Sequence, residues 1–352
     1  MKNLIKNKIV LITGGTGSIG AELVRQTLKF GPKQVRILSR DQTKQLYLEK
    51  ELNEFIRAES PNVRFFIGDI RDKERLKSIF RGVNIVFHAA ALKHVSSCEY
   101  NLFEAIKTNV YGLQNVLEEA VANNVERFVY VSTDKAVNPS SIMGLTKYLG
   151  EKMVANTYYY QGAKRTPFAS VRFGNVLNSS GSIIPLFKQQ INQGGPVTIT
   201  DPNMRRFFMP IPSAAQLVLS ALNYSQVNET FILKMPSIKI LDLAEVLIQE
   251  YAPRVGKDPK DIKIKIIGRY PGEKVHEQLI SSEEAESAVE MKDFFIIRPK
   301  VLIPSKLGHI PNYIYPKGAG KPKTKSKGYS TAEVTPLTKE QIKKLLFNQN
   351  LL

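Results

Sequence analysis

The sequence predicts an α/β fold: a Rossmann-type, doubly wound parallel sheet followed by a smaller C-terminal α/β region. Three observations predict it. Short apolar runs alternate with helical patterns through the first half of the 352 residues. The first run is left through a glycine-rich turn, and small or charged residues recur where the later runs end. Such alternation implies right-handed crossovers between parallel strands, and ligands of these sheets bind beyond the strands' carboxyl ends.

Lys8 to Thr13 (KIVLIT) is a continuous apolar run, as in a strand covered on both faces. Gly14, Gly17 and Gly20 then give G-x-x-G-x-x-G, and Ala21 to Phe30 is helical in period. A backbone without side chains lets a pyrophosphate approach, and the helix N-terminus favours its charge. Thr13, Gly14, Gly17, Ser18, Ile19 and Gly20 are therefore expected to cradle a dinucleotide. Gln34 to Leu38 is the second strand, ending near Arg40 and Asp41, with Lys44 one turn on. An acidic residue there favours NAD, and a basic one accommodates the 2′-phosphate of NADP. Arg40 and Lys44 favour NADP, while Asp41 keeps NAD open. Val63 to Ile67 is the third strand, ending at Asp69 and Ile70, where Asp69 meets an adenine amino group or simply shapes a turn. Asn84 to His88 leads into Ala89 and Ala90, whose small side chains leave room for a cofactor. Lys93 and His94 follow, either pointing into the cleft or packing structurally.

Tyr100 to Asn123 reads as one long helix containing Asn109, and Glu126 to Ser132 as the fifth strand. The chemistry is expected in the next stretch, Val131 to Lys152 (VSTDKAVNPSSIMGLTKYLGEK). A dehydrogenase of this fold has Ser or Thr at this strand's end and Tyr-x-x-x-Lys on the next helix. Thr133 and Lys147 are in place, but Met143 holds the tyrosine position, and a thioether takes no proton. Tyr148 is turned about 100° from the Lys147 face. Asp134 and Lys135 remain as an acid and a base at the rim. The acid would be a desolvated Asp134. The base would be a Lys135 made neutral by burial and nearby positive charge. A reaction that needs both is loss of water beside a ketone: C4 of a sugar is oxidised, Lys135 takes the C5 proton, and Asp134 protonates the departing C6 hydroxyl.

After Pro167 the pattern gives a strand (FASVRFGNV), the loop Leu177 to Gly181, and a helix from Ile183 to Gln193. Arg206, in MRRFFMP, suits a diphosphate or a structural ion pair. The expected division is residues 1–177 for the dinucleotide, with later returns to the sheet, 178–308 for substrate, and 309–352 as a basic tail and helix. Thr338 and Gln341 have the spacing of a helix-capping pair.

The bulk properties exclude other classes. Net charge is +18, but no helix-turn-helix, zinc-finger or RNA-recognition pattern accompanies it, so no nucleic-acid partner is expected. Cys98 is the only cysteine and the four histidines lack ligand spacing, so no disulfide or metal is expected. No apolar run is long enough for a transmembrane segment, and a cytoplasmic location is expected.

GGTGSIG, SRDQTKQ, HAAALKHV, STDKAVNPSSIMG-x-TK, VRFGNVL, GSIIPLF and PGEKVHE together resemble the nucleotide-sugar 4,6-dehydratases of surface polysaccharide biosynthesis. These are extended short-chain dehydrogenases/reductases acting on UDP-N-acetylglucosamine, and the likeness is to the branch in which methionine replaces the tyrosine. It runs from about Ile9 to Ile280. The resemblance implies Asp134 as acid, Lys135 as C5 base, Lys147 as cofactor ligand, and Asn175, Arg206 and Glu273 on the UDP-sugar side. It also implies a homo-oligomer, a dimer or larger. A UDP-sugar 4-epimerase and a non-catalytic dinucleotide-binding scaffold are the competing readings.

Overall fold

The computed structural model describes residues 1–59, 62–162, 166–298, 314, 316, 319–320 and 328–352. Its centre is a nine-stranded sheet. The strands are β1 (Ile9–Thr13), β2 (Gln34–Ser39), β3 (Val63–Ile67), β4 (Ile85–His88), β5 (Arg127–Val131), β6 (Phe168–Arg172), β7 (Thr230–Leu233), β8 (Ala288–Glu290) and β9 (Phe294–Ile297). They lie in the order β3-β2-β1-β4-β5-β6-β7-β9-β8. The seven strands from β3 to β7 are parallel, and β9 runs antiparallel to both β7 and β8. Chain order reverses between β1 and β4, which opens a crevice at the carboxyl ends there. Leu11, Ile12, Phe87, Phe128 and Val129 are fully buried, because helices cover both faces.

The helices that matter below are α1 (Ser18–Leu28), α2 (Gly112–Ala122), α3 (Ile142–Asn156), α4 (Ile183–Asn192), α5 (Ile240–Tyr251) and α6 (Lys339–Asn348). The long helix expected over Tyr100–Asn123 is instead broken. Val95–Tyr100 and Leu102–Ile106 are separate pieces, and a π-helical turn, Lys107–Tyr111, precedes α2. The cause lies in Asn109. Its side chain accepts from the Leu92 N–H (2.8 Å) and donates to the Leu92 carbonyl (3.0 Å) and the Thr146 hydroxyl (3.0 Å). A widened turn brings that amide inward at a site, as such bulges commonly do.

A second core, fed by Ile184, Phe187, Ile199, Phe208, Leu243 and Leu247, lies under α4 and α5. Ile342 and Leu346 of α6 join it, so the C-terminal helix packs against this second core. Thr338 and Gln341 cap α6 reciprocally, as their spacing predicts. The lysine-rich run 317–327 falls, apart from residues 319 and 320, outside the described residues. Beyond it, Tyr329–Ser330 returns to pair with Gln278–Ile280.

One buried ionic clamp joins these parts. Arg172, at the end of β6, holds both carboxylate oxygens of Glu151 on α3 at 2.8 and 2.6 Å. It also grips Glu284 at 2.8 and 2.7 Å and the Leu279 carbonyl at 3.1 Å. The Ser132 hydroxyl donates to Glu151 at 2.5 Å. Breaking such a pair leaves charges stranded in the interior. Arg172→Met should therefore lower the unfolding free energy by about 3–5 kcal/mol in urea titrations, and a loss below about 1 kcal/mol would show that the clamp is dispensable.

Candidate active site

The glycine turn is shaped by backbone packing. Gly14 has φ +67°, and a Cβ on it would lie 2.7 Å from the Ala90 nitrogen. A Cβ on Gly20 would collide with the Gly14 carbonyl oxygen. Side-chain-free backbone therefore faces an open cavity of about 850 Å³ at the crevice between β1 and β4. Gly14, Gly17, Ser18, Ile19, Gly20, Arg40, Lys44, Asp69, Ile70, Ala89, Ala90 and Lys147 all line it. Thr13 does not: it is fully buried, with its hydroxyl 2.8 Å from His88 Nδ1, and this corrects its expected place. Burial, aided by the nearby Lys147 charge, pushes His88 down to about 3, so that ring is neutral. At the rim Arg40 lies 3.2 Å from Asp69, and Lys44 lies 3.2 Å from Asp41. Exposed pairs of this kind hold weakly and can be exchanged for a phosphate.

The carboxyl end of β5 brings the reactive groups together. Thr133 caps the short turn Asp134–Ala136. Asp134 is fully buried, and its Oδ1 accepts from the Thr133 hydroxyl and from Lys135 Nζ, each at 2.9 Å. Lys135 Nζ also stands 3.4 Å from Asn175 Oδ1 and 3.9 Å from Glu277 Oε1. Burial disfavours the Lys135 ammonium, but Asp134 and Glu277 outweigh it and raise the amine's pKa. A neutral resting Lys135 is thus corrected: neighbouring charge acts in the opposite direction. Lys147 behaves differently. Its Nζ donates to the Val131 carbonyl at 2.6 Å and sits 4.3 Å from the Tyr130 ring centre. Burial lowers it to about 7 against the opposing pull of Glu151. Met143 lines the cavity and packs beside Cys98 and Ala105.

A second cavity, of about 330 Å³, opens on the substrate side. Arg206, Tyr270, Glu273, Lys274 and Glu277 line it. His94, Lys135, Asn175, Gly181, Ser182 and Ile183 line both cavities, so the two meet at the Lys135 amine. The loop between them is pinned on the dinucleotide side. Lys93 Nζ donates to the Ser180 carbonyl at 2.7 Å, and the Ser180 N–H donates to Ser18 Oγ at 3.2 Å. Of the two roles expected for Arg206, diphosphate grip or structural pairing, its contacts match the second. Its guanidinium donates to the carbonyls of Arg205, Lys274 and Val275 at 2.9, 2.8 and 3.1 Å, with Glu273 at 3.5 Å. These bonds clip segment 273–277 in place. Arg269 pairs with Asp201 at 3.6 Å and does not line either cavity.

Sequence reasoning passed over Glu277. A signal for it existed: Val275, Glu277 and Leu279 alternate, so one inward face carries a carboxylate among apolar residues. Among the described residues no helix is long and apolar enough to cross a membrane, and no group of three His, Cys, Asp or Glu is placed to hold a metal ion. The arrangement supplies a large cleft beside the glycine turn, a lysine lining it with a buried aspartate behind, and an adjoining polar pocket.

The profile of the family described as polysaccharide biosynthesis protein matches residues 10–299. Over 98% of its length the chain is 49% identical to a Methanocaldococcus jannaschii protein named uncharacterized membrane protein, 97% of which is covered. It is 40% identical, over 85% of both chains, to the UDP-N-acetylglucosamine 4,6-dehydratase (inverting) of Campylobacter jejuni. It is also 40% identical, over 83% of both chains, to a Rickettsia rickettsii protein named UDP-glucose 4-epimerase. Among solved structures, the X-ray structure of Pen from Bacillus thuringiensis matches with a TM-score of 0.87 at 41% identity, covering 99% of each chain.

Lys147 gives the site a pH signature. Its folded pKa, about 7, lies below the 10.5 of an ordinary lysine. The unfolded chain therefore binds more protons between these values, and this group's contribution to stability rises with pH across that window. Without added dinucleotide, the unfolding free energy of the wild type minus that of Lys147→Met should increase from about pH 7 to about pH 10. A difference independent of pH would mean that Lys147 titrates as an exposed lysine.

Proposed function

The chain belongs to the polysaccharide biosynthesis protein family, and on that footing we propose that it is an NADP-dependent UDP-N-acetylglucosamine 4,6-dehydratase. The product is a UDP-4-keto-6-deoxy-hexosamine for surface-glycan or rare-sugar synthesis. The observation that carries this reading is the Asp134–Lys135 pair, with Lys135 lining both cavities, Asp134 buried behind it, and Met143 in place of a helical base.

The residues fit a dinucleotide, since the tight glycine turn, where a Cβ on Gly14 or Gly20 would strike backbone, lines the larger cavity at the start of α1. When bound, NADP+ would take hydride from C4 and return it to C6. Arg40 and Lys44 would release their carboxylate partners to hold its 2′-phosphate, and Lys147 would hold the nicotinamide ribose. Thr133 would hydrogen-bond the C4 oxygen. The resting Lys135 ammonium and Asp134 carboxylate are 2.9 Å apart. One proton passing from the first to the second arms both. Lys135 becomes the C5 base, and Asp134 becomes the acid for the C6 hydroxyl. His94, Asn175 and Glu273 would face the UDP-sugar. Lys93, expected there too, instead ties the loop at Ser180 on the other side, and Arg206 would hold the pocket wall. The division of labour follows: residues 1–177 with the later strands for dinucleotide, and 178–308 for the UDP-sugar. Exposed Tyr100, Phe103, Leu145 and Leu149 on neighbouring helices support assembly as a dimer or larger.

The second reading is a UDP-sugar 4-epimerase, favoured by the relative that carries that name. It needs no elimination at C6, so the product separates the two. Incubated with UDP-N-acetylglucosamine in D2O, the protein should give, by NMR, a 4-keto product with a C6 methyl group and deuterium at C5. Interconversion with UDP-N-acetylgalactosamine alone would establish the epimerase. Lys135→Ala should abolish turnover while dinucleotide stays bound, and near-normal turnover would remove Lys135 from the mechanism. Arg40→Ser should weaken NADP binding at least about tenfold more than NAD binding, a difference of ~1.4 kcal/mol that titration calorimetry can read. Equal weakening would assign NAD.

A further inference from the structure

Lys135 is flanked by two buried carboxylates, and the dehydratase reading uses only one of them. Glu277 is 3% exposed, and its Oε1 stands 3.9 Å from both Lys135 Nζ and Arg206 Nε. Its other oxygen, Oε2, is buried without a hydrogen-bond partner. The backbone beneath it is fixed from both sides. The Glu277 N–H donates to Thr331 Oγ1 at 3.0 Å, and its carbonyl accepts from the Thr331 N–H at 2.9 Å. A buried carboxylate this well anchored, with one oxygen unpaired, is costly unless its charge is used.

The chemistry supplies that use. In the elimination Asp134 enters as a neutral acid. The C5–H bond breaks and its proton goes to the Lys135 amine. The electron pair forms the C5–C6 double bond, the C6–O bond breaks, and the departing hydroxyl leaves as water with the Asp134 proton. Positive charge thus grows on Lys135 while Asp134 is still giving up its proton. Asp134 cannot be proton donor and full counter-charge at once. We propose that Glu277 is a positioning residue that supplies this counter-charge, stabilising the Lys135 ammonium as the C5 proton is removed.

The inference rests on the dehydratase reading and adds a residue to it. The charged groups around the amine are Asp134 beside it in the chain, Glu277 from the 273–277 segment, and Arg206 behind Glu277. Lys274, whose Nζ donates to the Val137 carbonyl at 2.8 Å, and Glu273, on Arg206, complete the set. Desolvation and the neighbouring Asp134 raise the Glu277 pKa, against the pull of Lys135 and Arg206.

The test is Glu277→Gln, which keeps shape and removes charge. With UDP-N-acetylglucosamine, kcat should fall on the order of 100-fold, as when one preorganised electrostatic partner is lost, with KM within about threefold. C4 oxidation should persist, so reduced-nicotinamide absorbance should build up during turnover. The kcat–pH profile should move to lower pH on the limb set by Lys135, because removing a negative charge eases proton loss from its ammonium. An unchanged kcat and profile, or a raised KM with kcat intact, would overturn the proposal and leave Glu277 as a brace for Arg206. If the glutamine variant does not retain dinucleotide, Glu277→Asp takes its place, since it keeps the charge and draws it back by one methylene. A reduced kcat with the same downward shift supports the proposal, and an unchanged profile overturns it. A wild-type protein that makes no 6-deoxy product sinks the dehydratase reading itself, a result distinct from either variant's.

Discussion

The guanidinium of Arg172 is the point on which the rest is hung. It lies in the interior, where a charge is expensive, and its two carboxylate partners together with the Leu279 carbonyl use its donors in full. Its partners come from α3 and from the segment after Gln278–Ile280, and Ser132 at the end of β5 joins through Glu151. Satisfying one cation therefore fixes three elements at one height above the sheet. Lys147 is one turn before Glu151 on α3, and Thr133 follows Ser132, so both functional groups inherit their places from that ion pair.

Met143 and Asp134–Lys135 express a second constraint. A short-chain dehydrogenase site ordinarily places its proton-transfer group on the helix. Here that helix offers a thioether in a small apolar cluster with Cys98 and Ala105, and the ionisable groups sit on the strand end. The helical lysine remains, but burial on the Tyr130 ring draws it toward neutrality. The strand-end lysine is driven the other way by two carboxylates. Two amines in one cavity are thus held in opposite charge tendencies by what surrounds them, as two different tasks require.

The sheet was legible in the sequence because buried parallel strands are short apolar runs and the glycine turn has fixed spacing. The cradle followed from it, since position at a strand's end decides what faces the crevice. Thr13 was misplaced because alternation sends a strand's last residue to either face, and here His88 captures its hydroxyl. The break near Asn109 was hidden because it depends on Leu92, a contact seventeen residues away that no local propensity encodes. Arg206 was half read. Its burial among apolar residues was right, but which acceptors it meets depends on how segment 273–277 folds back. Lys135 was read in the wrong direction because the neighbouring Asp134 acts on it as a negative charge, and Glu277, far along the chain, adds a second one.

The return of Tyr329–Ser330 to Gln278–Ile280 has a consequence for how the protein comes into being. Everything that lines the dinucleotide cavity lies within the first 183 residues, so a nascent chain holds those pieces long before synthesis ends. Glu277, by contrast, is tied down by Thr331, 54 residues further along the chain. The residues of the larger cavity and the anchor of Glu277 are thus separated in time along one polypeptide. Until the segment around Thr331 docks, the larger cavity stands beside a Glu277 whose backbone lacks its partner.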